Sequence, residues 1–302
     1  MKRGLTVIQA GVTLVELLLA TSISVVVVLA LTHSFVVGTN TSQSEHALQQ
    51  LQATALYSSQ LLALHIRRAA YLGDSAARTI TSTPVTSGSR CTDANWTMQQ
   101  SPMLAGTNQN ATQYPCLLAR SSYRWLRSDT ITVRYAAGTP VKKYYPQQSY
   151  LRARLSELTL FKGINRRQLN RLSDQPYSDR QFHSNSFYVA NSSLGWCNNK
   201  RTPVLAMIKR SNQGRLRRTL IAAGVEDLQI QYSSNFSEYR NANQVNNWNS
   251  IKSVRFWLLL RTLCHYYKTA VHRRFSYADV RHDFHDRFRR QLFSLTVTLR
   301  NR

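Results

Sequence analysis

The run His282-Asp283-Phe284-His285-Asp286 crowds side chains that can ligate a metal or move a proton into one short stretch. Zinc chemistry would need a third ligand at a diagnostic spacing or a His-Glu-x-x-His pattern, and the sequence has neither. Arg281, Arg287, Arg289 and Arg290 flank the run and repel a divalent cation, so it reads as a charged exposed loop. No metal or other cofactor is expected, and neither a nucleophile elbow nor a phosphate-binding glycine loop occurs. A membrane-anchored enzyme would therefore need polar groups converging from distant parts of the chain, and the reading is of a protein that is not an enzyme.

Glu16 offers chemistry of another kind. It sits inside the otherwise uncharged residues 12–37, and between Arg3 and Arg67 the only ionised side chains are Glu16 and Glu45. A carboxylate in an apolar helix is costly, so it calls for a compensating partner and a task. One plain alternative is a carboxylate near the headgroups that snorkels. An uncleaved signal anchor also explains Lys2, Arg3 and the apolar run, because basic residues favour the cytoplasmic side. A secretory signal leaves Glu16 unexplained and lacks the small-residue cleavage site beyond its apolar core.

The string Gly11-Val12-Thr13-Leu14-Val15-Glu16-Leu17-Leu18-Leu19-Ala20 resembles the processing site of type IV prepilins and type II secretion pseudopilins. The resemblance implies cleavage between Gly11 and Val12 by a prepilin peptidase and N-methylation of Val12. It makes Glu16 the carboxylate that guides assembly by pairing with a neighbour's amino terminus. Val12 stands where the family usually has Phe. His33 stands where many major pilins have a helix-loosening Pro, so the helix is expected to continue unbroken.

The elements that must carry these residues begin with one long helix. Leu48, Leu51, Ala55, Leu62, Ile66 and Ala69 recur at helical spacing and form one apolar face, read as core packing. Gly73, Asp74 and Ser75 supply a stop signal. Helix over residues 12–72 would be ~90 Å long at ~1.5 Å per residue. Residues 75–115 are rich in Ser, Thr, Asn, Gln and Gly and read as an irregular excursion. Strand signals follow at residues 130–135, 158–161, 186–190, 204–208, 228–232, 254–260 and 292–299. The last is clearest, with Leu295, Val297 and Leu299 alternating with polar residues. Such short, strand-rich intervals point to an α+β class: a long N-terminal α-helix, transmembrane then amphipathic, packed on a C-terminal antiparallel β-sheet domain. The expected divisions are a leader at 1–11, a transmembrane or filament-core helix at 12–38, its amphipathic continuation at 39–73, and a periplasmic pilin-like domain at 74–302.

Cys91, Cys116, Cys197 and Cys264 suit an oxidising compartment, and none shows Cys-x-x-Cys spacing. Three pairings are open. Cys91 with Cys116 is the local option, and Cys197 with Cys264 would then tie two strand regions. Free buried thiols are the alternative. The chain has 39 Lys and Arg against 14 Asp and Glu, a formal net charge of +25. Paired arginines at Arg273-Arg274 and Arg289-Arg290, interleaved with aromatics, make a candidate basic patch for DNA phosphates, anionic headgroups or acidic neighbouring subunits.

The stretches Leu220-Ile221-Ala222-Ala223-Gly224-Val225-Glu226-Asp227-Leu228 and Ile251-Lys252-Ser253-Val254-Arg255-Phe256-Trp257 resemble the PilW minor pilins, as does the Arg300-Asn301-Arg302 end. The resemblance implies a single-pass inner-membrane protein with a cytoplasmic amino terminus and a periplasmic carboxyl domain. Such a protein is assembled near a pilus tip, where it primes or caps the filament. Its partners would be other minor pilins, the major pilin, prepilin peptidase and the inner-membrane assembly machinery. A pseudopilin similar to GspJ of a type II secretion system and a DNA-uptake pilus component are the alternatives.

Overall fold

A computed structural model describes residues 11, 13–73, 80–82, 94–98, 102–110, 114–118, 123–155, 157–171, 176–193, 195–197 and 201–300. The chain divides into two compact units, Met1–Gln49 and Gln50–Arg302. A single helix, α1 (Leu14–Arg67), begins in the first and ends in the second. Its residues Leu14–Gly38 are long and apolar enough to cross a membrane, and none of them is buried. At ~1.5 Å per residue this length exceeds the ~30 Å of a hydrocarbon core. Thr21, Ser22, Ser24 and Thr32 turn their hydroxyls back onto carbonyls three or four residues earlier, which satisfies those donors without water. The helix passes through His33 without a break.

In the second unit the expected apolar face is the buried one. Leu51, Ala55, Leu62, Ile66 and Ala69 are all in the core, and the stripe is completed by Ser58, whose hydroxyl is used up on the carbonyl of Thr54. Truncating Leu62 to Ala would cost about 2–5 kcal/mol. The helix stops at Arg67, earlier than Gly73 predicted. Ala70 takes a φ of 60° and donates its N–H to the carbonyl of Arg134, and Ala136 donates to Tyr71, so strand pairing captures the backbone before the stop signal is reached.

The larger sheet takes β1 (Ile80–Ser82), β2 (Leu104–Thr107), β3 (Tyr123–Trp125), β4 (Thr130–Pro140), β5 (Ser149–Ala153), β6 (Leu158–Lys162), β7 (Ser178–Ser192), β8 (Thr202–Arg210) and β9 (Leu216–Ala223). Its long central strand β7 pairs with β4 and β3 along one edge and with β5 and β8 along the other. All its pairings are antiparallel except β1 with β6. The second sheet holds β10 (Val225–Ser233), β11 (Arg240–Asn241), β12 (Ser253–Arg261) and the last strand, β15 (Arg290–Thr298); β13 (Val271–Tyr277) and β14 (Val280–Asp286) form a separate hairpin. Residues 75–115 are less irregular than their composition implied, since β1, β2 and a 3-10 turn at Ala94–Met98 fall among those described.

Gly224 is the hinge point between the sheets. Its φ is +86°, its N–H donates to Pro203 and its carbonyl accepts from Arg261, and a Cβ there would stand 2.7 Å from the Arg261 carbonyl oxygen. Only glycine fits both demands. The seam is closed by Asp129, which accepts from the backbone N–H groups of Gln109 (3.0 Å) and Ile230 (2.7 Å). Burial pushes its carboxyl up to about 8. One core then joins α1, both sheets and residues such as Ile131, Phe187, Leu205, Leu228 and Phe256.

Candidate functional site

At the start of α1, Thr13 and Glu16 satisfy each other. The Glu16 carboxylate accepts from the Thr13 N–H at 2.9 Å and from its hydroxyl at 3.0 Å, while the Glu16 N–H donates to the Thr13 hydroxyl at 3.3 Å. This reciprocal capping box neutralises two orphan donors of the helix terminus. The surrounding surface is bare apolar helix, with Leu14 75% exposed and Leu17 60%. A Cβ on Gly11 would meet nothing within 4 Å, so packing in this chain does not require glycine there. Val12, and with it the expected scissile bond and methylation site, lies outside the described residues.

Of the cysteines, Cys197 after β7 and Cys264 after β12 form a disulfide with Cα atoms 5.3 Å apart. It ties one sheet to the other across 67 residues of chain, a closure that contributes about 2–4 kcal/mol. Cys116, in the short helix Pro115–Leu118, is also disulfide-bonded. Cys91 lies outside the described residues.

The run read as a charged loop is a strand. Residues 282–286 lie in β14, whose side chains alternate between partial burial and exposure. His282 and His285 therefore point to opposite faces and cannot share a metal, because strand side chains alternate where helical ones three apart would align. His282 meets the buried Asp227 at 3.1 Å and stacks near Phe284. Asp227 also accepts from the Tyr277 hydroxyl at 2.7 Å. The bond to Asp227 raises the His282 imidazole above its ordinary value.

The candidate basic patch divides. The Arg290 side chain is only 2% exposed and is not a surface cation: it meets Glu226 at 2.5 Å, Asp286 at 2.7 Å and the face of Phe284 at 3.6 Å. Arg261 adds a second guanidinium beside Glu226 at 3.7 Å. On the exposed side Arg274 pairs with Asp283 across the hairpin at 2.6 Å. Arg273 lies by the Tyr267 hydroxyl and Arg289 by that of Tyr266, where they line a cleft of ≈ 460 Å³. Sequence reasoning did not single out Glu226 and Asp227 as the carboxylates that organise this region. Their signal was present as adjacent acids in a strongly basic third of the chain.

No curated protein and no solved structure matches the chain. Residues 186–301 match the family model PilW, Type IV Pilus-assembly protein W. That stretch carries Glu226, Asp227, the hairpin and the Cys197–Cys264 bond, while Glu16 and α1 precede it. Over residues 186–301 the chain is similar to the PilW family of type IV pilus-assembly proteins.

Proposed function

We propose that the protein is a minor pilin of a type IV pilus, made as a prepilin, cleaved after Gly11, methylated at Val12 and assembled near the tip, where it primes or caps the filament. The family match over residues 186–301 carries this reading. Further support comes from the amino terminus, where a glycine with no packing role precedes a capped apolar helix bearing one carboxylate. In the bilayer and filament Glu16 would exchange its local cap for the amino group of a neighbour, setting axial register as the subunit leaves the membrane. Residues 12–38 would anchor and then pack the filament core, residues 39–73 would cradle the sheets, and residues 74–302 would face the periplasm. The Cys197–Cys264 bond suits that oxidising side. Prepilin peptidase, the inner-membrane assembly machinery and neighbouring major and minor pilins are the partners this role requires.

The test is the mass and amino-terminal sequence of the protein recovered from sheared pili. A methylated chain beginning at Val12 is expected. A chain beginning at Met1 in cells with active prepilin peptidase, or absence of the protein from pili, overturns the proposal.

A further inference from the structure

The central strand β7 is left open on one edge. Its pairing with β5 ends at Tyr150↔Gln181 and its pairing with β8 starts at Ser186↔Ile208. Residues 182–185 thus bond to β4 alone among the described strands. The gap opens as a cavity of ≈ 500 Å³, within the ~300–1,000 Å³ usual for small-molecule sites.

Its lining is cationic and polar. Arg68, Lys209, Arg210 and Arg217 contribute to the wall, and no Asp or Glu is among the described residues that line it. Lys209 and Arg217 stand directly opposite each other on β8 and β9, a like-charge juxtaposition that is destabilising unless an anion relieves it. Arg210 is held in place by the carbonyl of Gln147 and the hydroxyl of Thr97.

We infer that this notch binds a small oxyanion, the phosphate or carboxylate group of a small molecule. Lys209 and Arg217 would hold the anionic group between them, with Arg68 contributing from the wall of the same cavity. His65 and His183 border the same space and are held neutral, each lowered to about 4, by burial first and then by Arg68 and Lys209. A bound anion would offset those two cations and move both imidazoles upward.

Full-length protein in a neutral detergent is titrated by calorimetry with glucose 6-phosphate, glucuronate and glucose. Saturable binding of at least one acidic sugar, at least tenfold tighter than glucose, is expected, and the better of the two identifies the oxyanion. Lys209→Gln with Arg217→Gln should weaken it at least tenfold, with an unfolding midpoint no lower than wild type. His183 followed by NMR should titrate at higher pH when the ligand is present. Failure of both acidic sugars to saturate, glucose binding as tightly as either, or unchanged affinity in the Lys209/Arg217 variant would each overturn the inference.

Discussion

Glu16 has two separable properties, an acceptor geometry and a charge. The acceptor geometry serves the capping box with Thr13, which a glutamine can also complete. The charge is the part that an apolar surrounding penalises and that a neighbour's amino group can exploit. Glu16→Gln keeps the first and removes the second, whereas Glu16→Ala removes both. Under the proposed role both variants should insert into the membrane and be cleaved, and both should be lost from sheared pili to a similar degree. Normal incorporation of the Gln variant alongside failure of the Ala variant would reduce Glu16 to a helix cap. A second residue-scale consequence lies at His282, faced by Asp227, Glu226, Arg290, Tyr277 and Phe284. Its folded value is raised, so the stability it contributes is complete below the unfolded value of about 6.5 and is lost as pH rises through the higher folded one. Urea unfolding should show that decline on the alkaline side of about pH 6.5, and His282→Gln should flatten it. An equal decline in the variant would assign the effect to another group.

At the scale of elements, the hairpin β13–β14 is fastened to the second sheet by Arg290, Glu226 and Asp286. Arg290→Gln leaves two partly buried carboxylates without their main cation, and breaking such a pair costs about 3–5 kcal/mol. Arg274→Gln disturbs only an exposed contact and should shift the unfolding midpoint little. Equal midpoints for the two variants would mean that Arg290 does not fasten the hairpin. Long-range partners of this kind also set what was legible in the sequence. The stripe from Leu51 to Ala69 and the alternation of residues 292–299 declare themselves, because helical and strand periods survive when one face is apolar. β14 hides its period, since its inward positions His282 and Asp286 are charged or polar and are neutralised by Asp227 and Arg290, far away in sequence or on another strand. β5 is hidden likewise. Its Arg152 is fully buried only because Asp179 receives it at 2.7 Å from β7. The cap at Glu16 follows the local pattern Thr-x-x-Glu before an apolar run, which reading Glu16 only as a costly carboxylate passed over, whereas the notch beside β7 depends on pairing register, which no local pattern encodes.

For the whole molecule the question is what a net charge of +25 is for. A charge of that size steers the chain toward acidic partners without specifying them. Arg273 and Arg274 on β13 present exposed guanidiniums, and Arg274 remains exposed even while it pairs with Asp283. In a pilus, the neighbours packed around a basic subunit supply the obvious counter-charge, while in DNA uptake the phosphates would. The two differ in salt dependence: each phosphate contact on duplex DNA contributes about 0.9 to the slope of log affinity against log salt. Replacing Arg273 and Arg274 with Gln in the full-length protein leaves the Arg290 cluster intact, so the change is confined to the surface. With a role among acidic pilins, the double variant should be recovered from sheared pili at a reduced level, while the salt slope of any DNA binding stays unchanged. A slope reduced by about 2, together with normal recovery in pili, would instead assign this face to nucleic acid.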